Sequence, residues 1–517
     1  MTICEEVFYD IDMYIKTFHK KVKDKVYAYQ YLVRSQRVGK NVVTKILSPL
    51  GSVTDPYSPA SYIGNLSKEL TSGKVTQARL YTLPMACHLL IEKTLGLTET
   101  IKEIISPVKL NVPLLTKLMI ISRIINPESK LSLTRWYQNL YLPEKLPKSI
   151  DVHDFYKTLD ILIEHKEEIE KYLFQRLKSQ QLIDVTVVFY DLTSSYFEGE
   201  ECEIAKFGHA RDKRPDCLQI TIGLVIDKSG LPIFHEVFEG NMSDSKTVKG
   251  ILDKVKNTLA IKNILFVADK GMLSPDNIVE LEKLKEDGYT YILSQSARTG
   301  FDNFKTLLSQ KDKTWTKLTE ALYFTKTEEG LVLCYNPFTA AKAKQTREEK
   351  LTKLSAFITT ELAKAKKTKR AQSQSAIHDR IIKKLHTSHA VKYFNVKDNF
   401  TKREEVMSKE ELLDGVWALT GNTSLTPEEI VKTYKKEAEI EASFRVIKDV
   451  VDIRPIYHYN PQRVKAHVFI CVLSYLVGRL LERKAGQSIK MLKEKYMTSV
   501  ISEGNRKQDI PSFLQTI

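Results

Sequence analysis

The chain has 517 residues, of which 42% are hydrophobic and 28% charged, and a formal net charge of +15 at pH 7. That balance excludes an intrinsically disordered chain and leaves room for about three or four domains. The basic excess points to a polyanionic partner, nucleic acid being the usual one. The six cysteines, Cys4, Cys87, Cys202, Cys217, Cys334 and Cys471, are dispersed with no C-x-x-C pair. This argues against a zinc site or a disulfide framework and for a reducing, intracellular compartment. Acidic residues stand where a signal peptide would carry positive charge, and the most apolar run, Val468–Val477, is about half the length that spans a bilayer. The expectation is a soluble cytoplasmic protein, in contact with the nucleoid in a bacterium and with no membrane partner.

Residues 1–55 form a basic N-terminal region. Within it, 25–47 read as a β-hairpin: Tyr27, Tyr29 and Tyr31 alternate with smaller or polar residues, Arg37 to Lys40 supply the turn, and Val42–Leu47 return. Arg37 and Lys40 are candidate contacts to a DNA backbone. A half-buried hairpin whose lysines protect a solvated edge accounts for the same residues equally well. Residues 56–182 are mainly helical, with Leu114, Leu115, Leu118 and Met119 at helical spacing and a long amphipathic pattern over Ile150–Gln180. This part either binds DNA or braces the next domain.

At residue 183 the pattern changes to strands. Ile183–Tyr190 is β-branched and aromatic, as a buried strand requires. Gln219–Asp227 and Leu231–Glu239 complete an antiparallel meander around the turn at Ser229-Gly230. A helix over Lys246–Ala260, a strand over Asn263–Ala268, a helix over Pro275–Glu286 and a strand over Tyr289–Ser294 come next, giving a mixed α/β sheet. Residues 295–415 break the rhythm with strand-like pieces (Leu322–Thr327, Gly330–Tyr335, Val391–Asn395) around a long basic helical run from Ala340 to about Leu385. Thr426–Lys448 then reads as one helix, its Thr-Pro-Glu-Glu start suiting an N-cap with Pro at N1. The simplest organisation is a catalytic core over 183–294 and 416–480, an insertion over 295–415, and a C-terminal tail over 481–517.

Asp191 and Asp269 each come directly after an apolar strand. Carboxylates at neighbouring strand ends point into one cleft, where they repel each other and raise each other's pKa. A divalent cation removes that penalty, and an all-oxygen donor set suits Mg²⁺ or Mn²⁺. A third acid comes from helix 426–448, where helical geometry puts Tyr434, Glu437, Glu441 and Lys448 on one stripe and Glu439 nearly opposite. Geometry alone leaves Glu437 and Glu441 both open.

These residues resemble the DDE transposases of bacterial and archaeal insertion sequences, in the group with a Tyr-x2-Arg-x3-Glu-x6-Lys signature. The stretch here reads Tyr434-x2-Glu437-x3-Glu441-x6-Lys448. Its spacing is the signature's, but Glu437 stands in the arginine's place. Tyr190-Asp191-Leu-Thr193, Gly208 to Gln219, Gly230-x-Pro232, Phe238 to Asp244, Asp269-x-Gly271, Arg454 to His458 and Arg463 to His467 also keep the family's order. The resemblance implies a ribonuclease H-like catalytic core with an insertion, mostly β in that group, between the second Asp and the Glu. It implies two Mg²⁺ ions, with Mn²⁺ able to substitute, held by Asp191, Asp269 and Glu441. Tyr434 and Lys448 would contact phosphates at the cut end, with Arg445 or Lys436 supplying the contact that the missing arginine would make. The implied reaction is hydrolysis at element ends, then attack of the 3′-hydroxyl on target DNA. The implied partners are double-stranded DNA, both terminal inverted repeats and target, and a second copy of the chain in a homodimer. Two other readings share these residues: a ribonuclease H-like nuclease or resolvase without strand transfer, and an inactive DNA-binding regulator descended from a transposase.

Overall fold

The computed structural model describes residues 13–22, 25–38, 41–52, 78–496 and 500–502, apart from 198, 200, 213, 262, 273, 299–300, 311–313, 368–370, 398 and 455. It divides into two units. One holds the described residues up to Ile169, Ile447–Ile453 and those from Gln462 onward; the other holds Glu170–Val446 and Arg454–Pro461.

The first unit opens with three antiparallel strands, β1 (Met13–Val22), β2 (Lys25–Val38) and β3 (Asn41–Ser52), in that order across the sheet. β2 and β3 are the arms of the expected hairpin, with Val38 opposite Asn41. β1 is an additional strand that the sequence pattern did not announce. Arg37 lies in β2, but its side chain, like Lys40, is outside the described residues. A short strand, β4 (Ala78–Leu80), leads into helices α1 (Thr82–Leu89), α2 (Leu97–Ile104), α3 (Val112–Ile125), α4 (Lys130–Trp136) and α5 (Val152–Glu164), and α6 (Lys166–Ser179) then has most of its residues in the second unit. Asn111 caps α3 by accepting from the Leu114 amide, with Pro113 in the first turn. α3 is buried almost all round, as a central helix is. The single amphipathic run expected over Ile150–Gln180 is two helices that part at His165. The polar run from Glu164 to Glu168 has no apolar residue to carry the stripe across.

The second unit is built on one nine-stranded mixed sheet. Its first strands are β5 (Val187–Tyr196), β6 (Gln219–Asp227) and β7 (Pro232–Glu239), an antiparallel meander. Helix α7 (Asp244–Asn257), β8 (Leu265–Ala268), α8 (Pro275–Lys283) and β9 (Thr290–Gln295) come next, with β8 parallel to both β5 and β9. β5 starts later and runs further than the expected Ile183–Tyr190. β6 pairs along it as far as Tyr196, opposite Gln219, so Asp191 lies within the strand and not beyond its end. Val188, Tyr190 and Leu192 face a core shared with Val248, Ile251, Phe266 and Leu281. By strand alternation Asp191 points to the other face.

After α9 (Phe301–Ser309), strands β10 (Thr316–Thr319), β11 (Leu322–Lys326) and β12 (Val332–Tyr335) extend the same sheet. Helices α10 (Pro337–Lys367) and α11 (Ala371–Thr387) pack around Leu351, Leu354, Ile358, Ile377, Ile381 and Leu385. α12 (Glu404–Leu413) then leads to β13 (Val416–Gly421), and the sheet order is β10-β11-β12-β13-β9-β8-β5-β6-β7. The insertion is therefore mainly helical. β10, β11 and β12 join the main sheet, because β13 pairs with both β12 and β9. Phe394–Asn395 and Thr401–Lys402 instead form a separate two-stranded sheet, and the first three residues of the expected strand Val391–Asn395 are a 3-10 turn.

The helix expected over Thr426–Lys448 is two helices, α13 (Pro427–Lys435) and α14 (Ala438–Asp449). α13 opens with the capping box anticipated from Thr426, its hydroxyl and Glu429 bonding reciprocally. In the first unit, α15 (Pro461–Ala485) runs from the end of the expected core segment into the expected tail, α16 (Ile489–Tyr496) lies in that tail, and Val500–Ser502 pairs with β4. α15 is more than the ten-residue apolar run suggested. It is long and apolar enough to cross a membrane, and its apolar window is 89% buried, as in a core helix.

Candidate active site

Parallel pairing fixes where the acids lie. Tyr190 of β5 is opposite Ala268 of β8, and Ala268 is opposite Leu293 of β9. The next residue along each of these neighbouring strands is Asp191, Asp269 and Ser294, so the three stand in a row across the sheet. Ser294 Oγ donates to Asp269 Oδ1 at 2.6 Å. Asp191 Oδ1 accepts from the Leu192 amide at 2.7 Å.

The turn after Asp269 is held from both sides. Asn277 Nδ2 donates to the carbonyls of Met272 and Ser245, at 2.7 and 2.8 Å, tying the turn to the start of α7. A Cβ at Gly271 would come within 2.7 Å of Asp244 Oδ2. The glycine in Asp269-x-Gly271 thus admits a carboxylate side chain, not backbone. Asp244 in turn pairs with Arg211 at 2.7 Å, and the Arg211 amide bonds Ser194 Oγ at 3.0 Å. Gly208 and Gly240 make a tighter junction, since a Cβ on Gly208 would lie 1.9 Å from the Gly240 carbonyl oxygen. These contacts give structural work to Gly208, Arg211, Gly240 and Asp244, which the sequence offered only as ordered motifs.

α13 lies against β11 and β12 and brings Tyr434 to this edge. Burial and the nearby Glu437 and Asp269 push the Tyr434 hydroxyl well above its ordinary range, with Ser294 opposing the shift. α13 stops at Lys435, and the Glu437 amide donates to the Tyr434 carbonyl at 2.8 Å in a tight turn before α14 begins. That break invalidates a single helical wheel for 426–448. Glu437 and Glu441 nevertheless both feel Asp191, and Glu437 feels Asp269 as well.

The electrostatics are those of crowded carboxylates. Burial pushes Asp191 up to about 7; the Leu192 amide and Arg211 oppose the shift, while Asp269 and Glu441 add to it. Burial likewise pushes Glu437 up to about 8, opposed by the nearby Tyr434 hydroxyl and reinforced by Asp269, Asp191 and Glu441. Among the described residues no three His, Cys, Asp or Glu side chains stand close enough to form a ready metal cage. The donor chemistry still fits a hard divalent cation: the groups are oxygen-only, and their mutual repulsion is the kind that a cation relieves.

The other sequence candidates are spread out. Glu441 and Arg445 are exposed on α14, and Lys448 is on the same helix within the segment assigned to the first unit. Lys436 lines a cavity of about 380 Å³ with Thr186, Val187, Ile264 and Leu265. Those residues mark the start of β5 and β8, the end away from Asp191 and Asp269. Ser294 is the site residue that sequence reasoning left without a role, whereas Glu437 had stood open beside Glu441 as the third acid. Ser294 could have been found as the strand-end partner of Asp269 on the next parallel strand.

Residues 182–477 match the family described as Transposase DDE domain. The chain belongs to this family of DNA transposases. None of the curated proteins matches it. Among solved structures, it is similar to a piggyBac transposase in a synaptic complex with hairpin DNA, at 9% identity, with 84% of this chain and 81% of that one covered and a TM-score of 0.38. It is also similar to the Mos1 transposase in a paired-end complex with the left transposon end, at 11% identity, with 34% of this chain and 57% of that one covered and a TM-score of 0.16.

Proposed function

We propose that the chain is the transposase of an insertion sequence of the bacterial and archaeal type, reading the meander and its strand-helix-strand continuation as a ribonuclease H-like core. The observation that carries this reading is the row of Asp191, Asp269 and Ser294 across three neighbouring strands, with Glu437 and Glu441 within electrostatic reach. Asp191, Asp269 and Glu441 would hold Mg²⁺ or Mn²⁺, two ions being the expected number. The bound cations would supply charge neutralisation at phosphorus and activation of a water or a 3′-hydroxyl.

The protein's own part is positioning. Arg211 and Asp244 hold the turn beside the two aspartates, and Ser294 orients Asp269. The net positive charge supports double-stranded DNA as partner, both element ends and target, through phosphate contacts. A homodimer that pairs two ends, and a cytoplasmic location, complete the proposal.

The test uses oligonucleotides carrying the inverted repeats that flank the gene, uncut or with a free 3′-hydroxyl, incubated with target plasmid and Mg²⁺. Cleavage and joining are expected, and Asp191→Asn, Asp269→Asn and Glu441→Gln should each abolish both while DNA binding survives. Full cleavage by any of these variants would sink the assignment. Cleavage without joining would favour a nuclease or resolvase, and binding with neither activity an inactive regulator.

A further inference from the structure

Ladder pairing between β5 and β8 ends at Tyr190 and Ala268, one residue short of Asp191 and Asp269. The spacing of the two carboxylates therefore needs another support, and the side chains around Tyr190 form one. Tyr190 is fully buried, and its hydroxyl donates to Thr247 Oγ1 at 2.8 Å. Thr247 in turn donates to the Asp244 carbonyl at 2.6 Å, within the first turn of α7. The Asp244 carboxylate accepts from the Arg211 guanidinium at 2.7 Å, and the Arg211 amide donates to Ser194 Oγ at 3.0 Å. Each hydroxyl hydrogen is used once, since Ser194 only accepts here. Tyr190 and Ser194 belong to one strand, so these bonds close a ring that clasps β5 on either side of Asp191. By strand alternation the ring grips the face opposite the Asp191 carboxylate.

Two further contacts carry the ring to the second aspartate. Asp244 Oδ2 stands 2.7 Å from where a Cβ on Gly271 would lie, and Asn277 Nδ2 donates to the carbonyls of both Ser245 and Met272. The start of α7 is thus fixed to β5 through Tyr190 and to the turn after Asp269 through Asn277. β6 leaves room for the phenol: a Cβ on Gly223 would come within 2.8 Å of the Tyr190 hydroxyl oxygen. Burial pushes that hydroxyl well above its ordinary range, so it stays protonated and keeps donating.

We infer that Tyr190 and Thr247 are positioning residues that set the separation of Asp191 and Asp269 by tying β5 to the start of α7. The inference rests on the reading of both aspartates as metal ligands. Ligand carboxylates depend on the groups behind them to hold their geometry.

The experiment titrates the full-length protein with Mn²⁺, followed by calorimetry and by the electron paramagnetic resonance of free Mn²⁺, with thermal melting beside it. Tyr190→Phe and Thr247→Val keep the shape and remove one hydroxyl each. Each should bind Mn²⁺ about tenfold more weakly than the parent, the lower end of the range for lost outer contacts. Thr247→Ser keeps the hydroxyl and should bind like the parent. Thr247→Val also strands the buried Tyr190 hydroxyl and should melt lower. The Tyr190→Phe, Thr247→Val double variant leaves neither partner unsatisfied, so its melting should return toward the parent while Mn²⁺ binding stays weak. Its binding should be no weaker than that of either single variant, because both cut one link.

Parent-like Mn²⁺ affinity in Tyr190→Phe and Thr247→Val would overturn the inference. So would recovery of binding together with melting in the double variant, which would mean that binding only follows stability. Weak binding by Thr247→Ser would overturn it as well, since the hydroxyl would not be the cause. Asp191→Asn and Asp269→Asn are the controls for the underlying reading: unchanged Mn²⁺ binding in either would overturn the metal assignment itself, whatever the Tyr190 and Thr247 variants do.

Discussion

Ser294 Oγ bonds Asp269 Oδ1 at 2.6 Å between the neighbouring ends of β9 and β8. The bond exists because parallel pairing sets Leu293 beside Ala268 and so brings the next residues on each strand together. Removing it should leave the sheet intact and loosen one carboxylate. Ser294→Ala is expected to melt like the parent and to cleave element ends about tenfold more slowly, with Ser294→Thr retaining most of the rate. Single-turnover cleavage and thermal melting check both halves. Parent-like cleavage by Ser294→Ala would mean that the turn after Asp269 is sufficient to orient it.

Gly271 predicts a stability effect with a built-in rescue. Its added Cβ would lie 2.7 Å from Asp244 Oδ2, so Gly271→Ala must push Asp244 off Arg211 or move the turn. The expected loss is about 1–3 kcal/mol, the usual range for overpacking. Asp244→Ala removes the obstructing atom. The double variant should therefore be more stable than the sum of the two single changes allows, a coupling that a double-mutant cycle of denaturant melts reads directly.

How much of this was legible in the residues alone depends on range. β6 is buried at every position, and its apolar run showed as a strand without ambiguity. Asp191 and Asp269 were recognisable as a pair because apolar strands precede both. The far end of β5 was not legible, since Leu192 to Tyr196 owe their strand to pairing with β6 and their pattern is too polar to declare it. Likewise, neither proline nor glycine marks the break before Glu437. It is a tight turn in which the Glu437 amide donates to the Tyr434 carbonyl, and a helical wheel has no place for such a turn. Leu322–Thr327 and Gly330–Tyr335 could be read as strands, but neither Thr316–Thr319 nor the pairing of β13 that fastens them to the central sheet could. Val391–Tyr393 is a 3-10 turn where a strand was expected.

Glu410 predicts a pH dependence. It is 7% exposed and bonds Arg298 through two oxygens, at 2.5 and 2.7 Å, and Lys392 at 2.8 Å. The Arg298 bond, helped by Lys392 against the effect of burial, holds its carboxyl down at about 2 against an ordinary 4.5. A folded-state pKa below the unfolded one means stability that is fully present above about pH 4.5 and lost as pH falls toward about 2. Glu410→Gln should therefore melt below the parent at neutral pH, and the gap should narrow across that acid window. A gap that stays constant from pH 6 down to pH 3 would show that the ion pairs do not stabilise this unit.

The basic helix α10 separates two roles that its sequence runs together. Arg347 meets Asp414 through two contacts of 2.8 and 2.7 Å, with both side chains only 10% exposed. Lys344 pairs with Glu411, whereas Lys342 and Lys353 are exposed and enter none of the ion pairs among the described residues. Arg347→Ala strands a nearly buried carboxylate and should cost about 3–5 kcal/mol of stability. Lys342→Ala and Lys353→Ala should leave melting unchanged. If these lysines meet DNA phosphates, each change should also reduce the steepness of the salt dependence of binding by about 0.9 in log–log slope, the amount expected for one lost phosphate contact. Binding isotherms at several salt concentrations measure that slope. A slope unchanged in the double lysine variant would remove α10 from the DNA interface and leave Arg347 as a purely structural residue.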